Sequence, residues 1–172
     1  MKYERFEQLP VWQAAMSLAE KVYALSEHGA FGRLRELKDQ LRRAGLSVSN
    51  NIAEGFERGT TAELLGFLYI ARGSAGEVRS MLLFCQRLGV LSSEISNLKS
   101  EISDLISLAE SCSRQIRAWA EHLQNTDIQG QRRLNDKTRA AFAAERSAEA
   151  FIQKLQDIRN AAGKPNTIQD SS

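Results

Sequence analysis

The side chains of this 172-residue chain that could carry proton chemistry are few. Glu54 and Glu77 would suit general acid–base work if the fold paired them, and His28 and His122 titrate near neutrality. Glu54 lies in the run Ser47-Val-Ser-Asn-Asn-Ile-Ala-Glu-Gly55, which sets serine, asparagine, a carboxylate and glycine into a segment otherwise packed with leucine. Nothing beside the two acids supplies a substrate-binding loop. A network of Glu54 and Glu77 with Ser47, Asn51 or an arginine is therefore the favoured reading. His28 precedes Gly29 at a helix end and His122 lies one turn from another, with no serine, cysteine or carboxylate at a spacing that suggests a triad. Cys85 and Cys112 stand alone on apolar stripes and read as buried free thiols. No glycine-rich phosphate loop, metal-binding helix motif or dinucleotide fingerprint occurs, so the chain reads as a non-enzyme without metal or cofactor.

Cations offer a different chemistry. Arg35, Lys38 and Arg42 fall within about 60° of one another around a helix axis, at about 100° per residue, with Arg43 beside them. Arg72, Arg79 and Arg87 form a second set. Such groups can neutralise phosphates, although a solvated face with ion pairs is the plainer reading. Total charge does not decide: 23 Lys and Arg face 21 Asp and Glu, and residues 1–125 hold 15 of each sign.

The elements that would position these residues are helices. Pro10 and Pro165, the two prolines, both lie near element ends. The pattern predicts helices over about Leu9–Glu27 and Arg33–Phe56, a third from the connection Gly59-Thr60-Thr61, with Thr60 or Thr61 as its cap, to about Leu88, a fourth from just after Ser92-Ser93 to Leu123, and about Gln131–Asn160. In the second, Leu34, Leu37, Leu41, Ala44, Val48 and Ile52 share one face, edged by Ser47, Asn51 and Glu54. Leu64, Leu68, Ala71, Ala75, Val78, Leu82 and Cys85 make a heptad seam in the third. Ile95, Leu98, Ile102, Leu105, Ala109, Cys112, Ile116, Trp119 and Leu123 make one in the fourth. Connections of a few residues force an all-α, antiparallel up-down-up-down four-helix bundle over residues 1–124. Residues 125–172 read as a linker, a helix with a thin stripe at Leu134, Ala141, Ala148 and Leu155, and a disordered tail. Gly66, Gly73 and Gly76, with Ser80, lie away from the third helix's seam. Each mid-helix glycine costs about 1 kcal/mol, which close approach of another backbone would offset, either within the bundle or from another subunit.

Phe6-Glu7-Gln8-Leu9-Pro10-Val11-Trp12-Gln13-Ala14-Ala15, Gln40-Leu41-Arg42-Arg43-Ala44 leading into Asn51-Ile-Ala-Glu-Gly55, and Phe67-Leu-Tyr-Ile-Ala-Arg-Gly-Ser74 with Glu77 occur in order. Over roughly residues 4–124 the chain resembles a four-helix-bundle family. That family includes proteins encoded in intervening sequences of bacterial 23S ribosomal RNA genes and accessory variability proteins of diversity-generating retroelements. The resemblance implies a homo-oligomer, a pentamer, that binds RNA or DNA through phosphates together with a reverse transcriptase. Ser47, Asn51, Glu54, Gly55 and Glu77 would be its structural motif, and the seven cations its nucleic-acid contacts. The alternative is a bundle that binds only protein or itself. No apolar run is long enough to span a membrane and no signal segment is seen, so a cytoplasmic protein is expected. Removing charge at Arg35, Arg42 and Arg43 together is expected to abolish RNA retention and leave melting almost unchanged.

Overall fold

A computed structural model of the chain describes residues 3–88, 96–125 and 136–162. Among the described residues five α-helices follow a 3-10 turn at Phe6–Gln8: α1 (Pro10–Ser26), α2 (Arg35–Glu57), α3 (Thr61–Arg87), α4 (Ser96–Gln124) and α5 (Asp136–Ala162). No strand element occurs among the described residues. The chain divides into two compact units, Met1–Arg132 and Arg133–Ser172.

Local chemistry sets the helix ends. Pro10 opens α1 at a position where its missing N–H removes nothing the helix needs. Leu34, expected inside the second helix, is instead the N-cap of α2. A second 3-10 turn, Gly29–Phe31, precedes it, and the Nδ1 of His28 caps that turn by accepting the Ala30 N–H at 3.3 Å. Thr60 caps α3: its hydroxyl oxygen accepts the Glu63 N–H at 3.2 Å and donates to the Glu63 carboxylate at 2.8 Å.

In the first unit α1 packs on α2 and α4, and α3 on α2 and α4. Successive helices run antiparallel. Ser26 meets Arg42, Ser47 meets Ser74, Tyr69 meets Gln124 and Arg79 meets Glu110, so residue numbers climb on one helix as they fall on the next. That is a four-helix bundle with up-down-up-down order. Its fully buried large side chains include Leu18, Leu41, Ile52, Leu68, Leu82, Ile102, Leu105 and Ile116, all on the heptad stripes of their helices. Cys85 and Cys112 are buried free thiols. Burial pushes the Cys112 thiol up to about 11 and raises that of Cys85 as well.

Two expectations change in detail. Trp119 and Leu123 are half-buried, and Ala120 takes the core position. A straight helix drifts about 20° per heptad from a strict seven-residue seam, and α4 is long enough for the drift to turn Trp119 outward. Along α5 every described side chain is exposed, Ala148 and Leu155 of the expected stripe included, while the side chains of Leu134 and Ala141 lie outside the described ones. The residues of the expected linker beyond Asn125 and of the tail beyond Ala162 lie outside the described ones.

The nine-residue run of α2 fastens that helix to α3. Asn51 Nδ2 donates to the Ser47 hydroxyl oxygen at 2.9 Å and to the Ser47 carbonyl at 2.7 Å. The hydroxyls of Ser47 and Ser74 lie 2.9 Å apart, and Ser74 donates to the Ile70 carbonyl at 3.1 Å. Because that proton is committed, Ser47 must be the donor to Ser74. The chain runs one way, from amide through two hydroxyls to a carbonyl.

Two turns further on, Gly55 lets the helices approach. A Cβ there would lie 2.7 Å from the Phe67 Cβ and 3.1 Å from Leu64 Cδ1. Gly55→Ala should therefore destabilise: forcing the helices apart costs about 1–3 kcal/mol, against about 1 kcal/mol gained from alanine's better helix propensity. Urea melts should show a lower midpoint for Gly55→Ala than for the parent. Gly59→Ala, where a Cβ meets nothing within 4 Å, is the control. An unchanged or raised midpoint at position 55 would remove the close-approach argument.

Candidate nucleic-acid interface

The cations on α2 do not all face water. Arg42 reaches back to the last turn of α1, where its Nε donates to Ser26 Oγ at 2.7 Å and its guanidinium also bonds the Glu27 carboxylate. Its plane lies over the Tyr23 ring, 5.0 Å from the centroid. Lys38 reaches the other oxygen of Glu27 at 3.4 Å. Ser26 is fully buried and donates to the Tyr23 carbonyl at 2.7 Å, so Arg42 completes a buried hydroxyl's hydrogen bonding as well as pairing a charge. These contacts hold the α1–α2 hairpin closed.

Arg35 and Arg43 behave differently. Both are exposed and make no ion pair among the described residues. Arg35, Lys38 and Arg42 line a recess of about 530 Å³ with Phe31, Gly32 and Asp39, at the first turns of α2. With Glu27 included, three cations face two carboxylates there. No side chain caps the N-terminus of α2, so helix N–H groups add a partial positive charge beside the recess.

The second set is also divided. Arg79 is paired to Glu110 on α4 at 3.3 Å. Arg72 is half-buried and Arg87 exposed, neither with an ion pair among the described residues.

The carboxylates of the motif do not form a pair. Glu54 is exposed and bonds Arg58 one turn on at 2.6 Å; it takes no part in the Ser47–Asn51 network. Glu77 is exposed on α3 and lines a second recess of about 490 Å³ with Gln40, Arg43, Ala44, Ser47, Ser80 and Met81. Glu54 sits ten residues beyond Ala44 on α2, about 15 Å along the axis. Among the described residues no group of three histidine, cysteine or acidic side chains could hold a metal.

Sequence reading missed Tyr23, Ser26 and Glu27. Their signal was available: in an antiparallel hairpin the last turn of α1 must lie beside the first turns of α2. One expectation is corrected by it. Arg42 is not a free charge, so removing it cannot leave the melt almost unchanged.

A family model for the 23S rRNA-intervening sequence protein matches residues 7–118. The chain belongs to that family. The match covers α1, α2, α3 and most of α4, and ends before α5. A solved structure from Bacteroides thetaiotaomicron VPI-5482, described as a protein with unknown function from the S23 ribosomal protein family, is similar in fold. It shares 17% identity and a TM-score of 0.53, over 64% of this chain and 98% of that one. No curated protein matches the chain. Among the described residues no helix is long and apolar enough to cross a membrane.

Arg42→Ala should lower the melting midpoint by an amount corresponding to about 1–2 kcal/mol, since a charge-assisted bond to a buried hydroxyl is lost. Arg35→Ala and Arg43→Ala should melt within about 0.5 kcal/mol of the parent, as ordinary surface changes do. Equal melts for all three in thermal denaturation followed by circular dichroism would contradict the assigned contacts.

Proposed function

We propose that this family member is a non-catalytic, self-associating adaptor that takes RNA or DNA by its phosphates at the α1–α2 end of the bundle. The observation that carries the reading is the recess at the start of α2, where Arg35, Lys38 and Arg42 converge on a helix N-terminus that no side chain caps. Arg35 is the free charge of the three and Arg43 the free charge next to them on α2. Arg72, Arg79 and Arg87 extend the field along α3.

A single copy is weakly charged at best, so self-association matters to the reading. Several copies would place several such recesses on one particle and let a polyanion bridge them. A five-fold ring, as the family resemblance implies, is one such arrangement. A reverse transcriptase is the protein partner this role would serve, in the cytoplasm. Few aromatic side chains lie among these cations, so binding would be to phosphate and nearly independent of sequence.

The test separates binding from folding. Arg35→Gln with Arg43→Gln should melt like the parent and retain single-stranded RNA at least about tenfold less well at low salt. The slope of log affinity against log salt should flatten by about one for each arginine removed. Filter retention across a salt series reads both. A double variant that binds like the parent, or a parent that binds neither RNA nor DNA at low salt, would leave a bundle that associates only with protein.

A further inference from the structure

Arg79 bonds Glu110 between α3 and α4, and Lys38 and Arg42 both bond Glu27 between α2 and α1. Arg43 and Glu77 do not pair, although the fold sets them level. Arg43 stands four residues before Ser47 on α2 and Glu77 three after Ser74 on α3, so the Ser47–Ser74 bond brings them within about 2 Å of the same height in the antiparallel pair. They line one recess of about 490 Å³ between the two helices, and no ion pair joins them. Asp39, one turn back from Arg43 on its own helix, is not bonded to it either.

Other polar groups of the recess are also uncommitted. Gln40 and Ser80 are exposed there and make no side-chain hydrogen bond among the described residues. Half-buried Met81 and buried Ala44 give it an apolar wall. Ser47, at its base, already donates to Ser74 and accepts from Asn51, so it holds the two helices at a set distance and leaves contact with a ligand to the others.

One cation and one carboxylate leave the recess without net charge. A lone anion inside it gains from Arg43 and loses at Glu77, and a lone cation does the reverse. A molecule that carries both charges close together, with a short apolar part for the wall, gains from each. Its carboxylate can take two parallel N–H bonds from the guanidinium, and its ammonium suits the Glu77 carboxylate as a compact charge. Gln40 can donate and accept, as can Ser80, which lets them complete the bonding of either end.

We infer that the recess between α2 and α3 is a binding site for a small zwitterion of the α-amino-acid class, with its carboxylate on Arg43, its ammonium on Glu77 and an aliphatic side chain against Met81 and Ala44. The terminus of a longer peptide would bring only one of the two charges. This site goes beyond the nucleic-acid role and needs neither a polyanion nor a second copy of the chain.

Saturation-transfer difference NMR on the purified full-length chain, with L-leucine as the probe over a concentration series, tests it. The parent should transfer saturation to L-leucine with a saturable dependence on concentration. N-acetyl-L-leucine, which lacks the ammonium, and L-leucine methyl ester, which lacks the carboxylate, should each bind at least about fivefold more weakly. Arg43→Gln and Glu77→Gln should each weaken L-leucine by a similar factor while melting like the parent, because neither side chain is paired in the folded chain. Lys99→Gln, at an exposed position of α4, should bind L-leucine as the parent does. Absence of saturable transfer in the parent, equal binding of the three probes, or L-leucine binding unchanged in both recess variants would overturn the site. Each of these results leaves the RNA reading to its own retention assay.

Discussion

The close approach of α2 and α3 is the constraint from which the other arrangements follow. Gly55 leaves no Cβ between the helices, with Leu64 and Phe67 in the space it would occupy. The bonds from Asn51 through Ser47 and Ser74 to the Ile70 carbonyl then fix the register two turns away. A leucine-only contact would tolerate sliding by a turn. The hydroxyl pair at the contact does not, because a slip would break the Ser47–Ser74 bond that joins the two helices. With α3 held in that register, its seam of Leu68, Val78 and Leu82 lies in the core, and its opposite side faces outward with Ile70 and Phe84 on it.

Periodicity made most of the bundle readable from sequence. Heptad steps in α3 and α4 select their buried residues, and Thr60 and Pro10 mark helix starts by chemistry that needs no tertiary partner. What sequence left open depends on distances between helices. Gly55 and Gly66 are equivalent letters in a helix, yet one is a contact and the other is open space. Arg42 and Arg43 are adjacent, yet the hairpin gives Arg42 three partners on α1 while Arg43 makes no ion pair among the described residues. Glu54 found its arginine within one helical turn, which local spacing could have foretold, but on the surface and not in a network. Trp119 fell short of the core because a strict seven-residue step and a 3.6-residue helix diverge over the length of α4.

In the nucleic-acid role we propose, the division of the cations matters more than their number. Lys38 and Arg42 stabilise the hairpin and lend their field to the recess without being free to move. Arg35 and Arg43 can follow a ligand. Fixed charges together with mobile ones suit a phosphate backbone that passes by in many registers, whereas base-specific reading would need rigid donors at set positions. The 23S rRNA-intervening sequence family assignment is consistent with this picture of a bundle and assigns no chemistry to it.

The Ser47–Gly55 run acts as a fastener between α2 and α3 and not as a binding site. A double-mutant cycle on Ser47→Ala and Ser74→Ala, read by urea denaturation with RNA retention measured on each variant, tests it most directly. The two changes should couple by about 0.5–1.5 kcal/mol, with retention unaltered wherever the bundle remains folded. Additive losses of stability, or retention that fails while the urea midpoint holds, would contradict it.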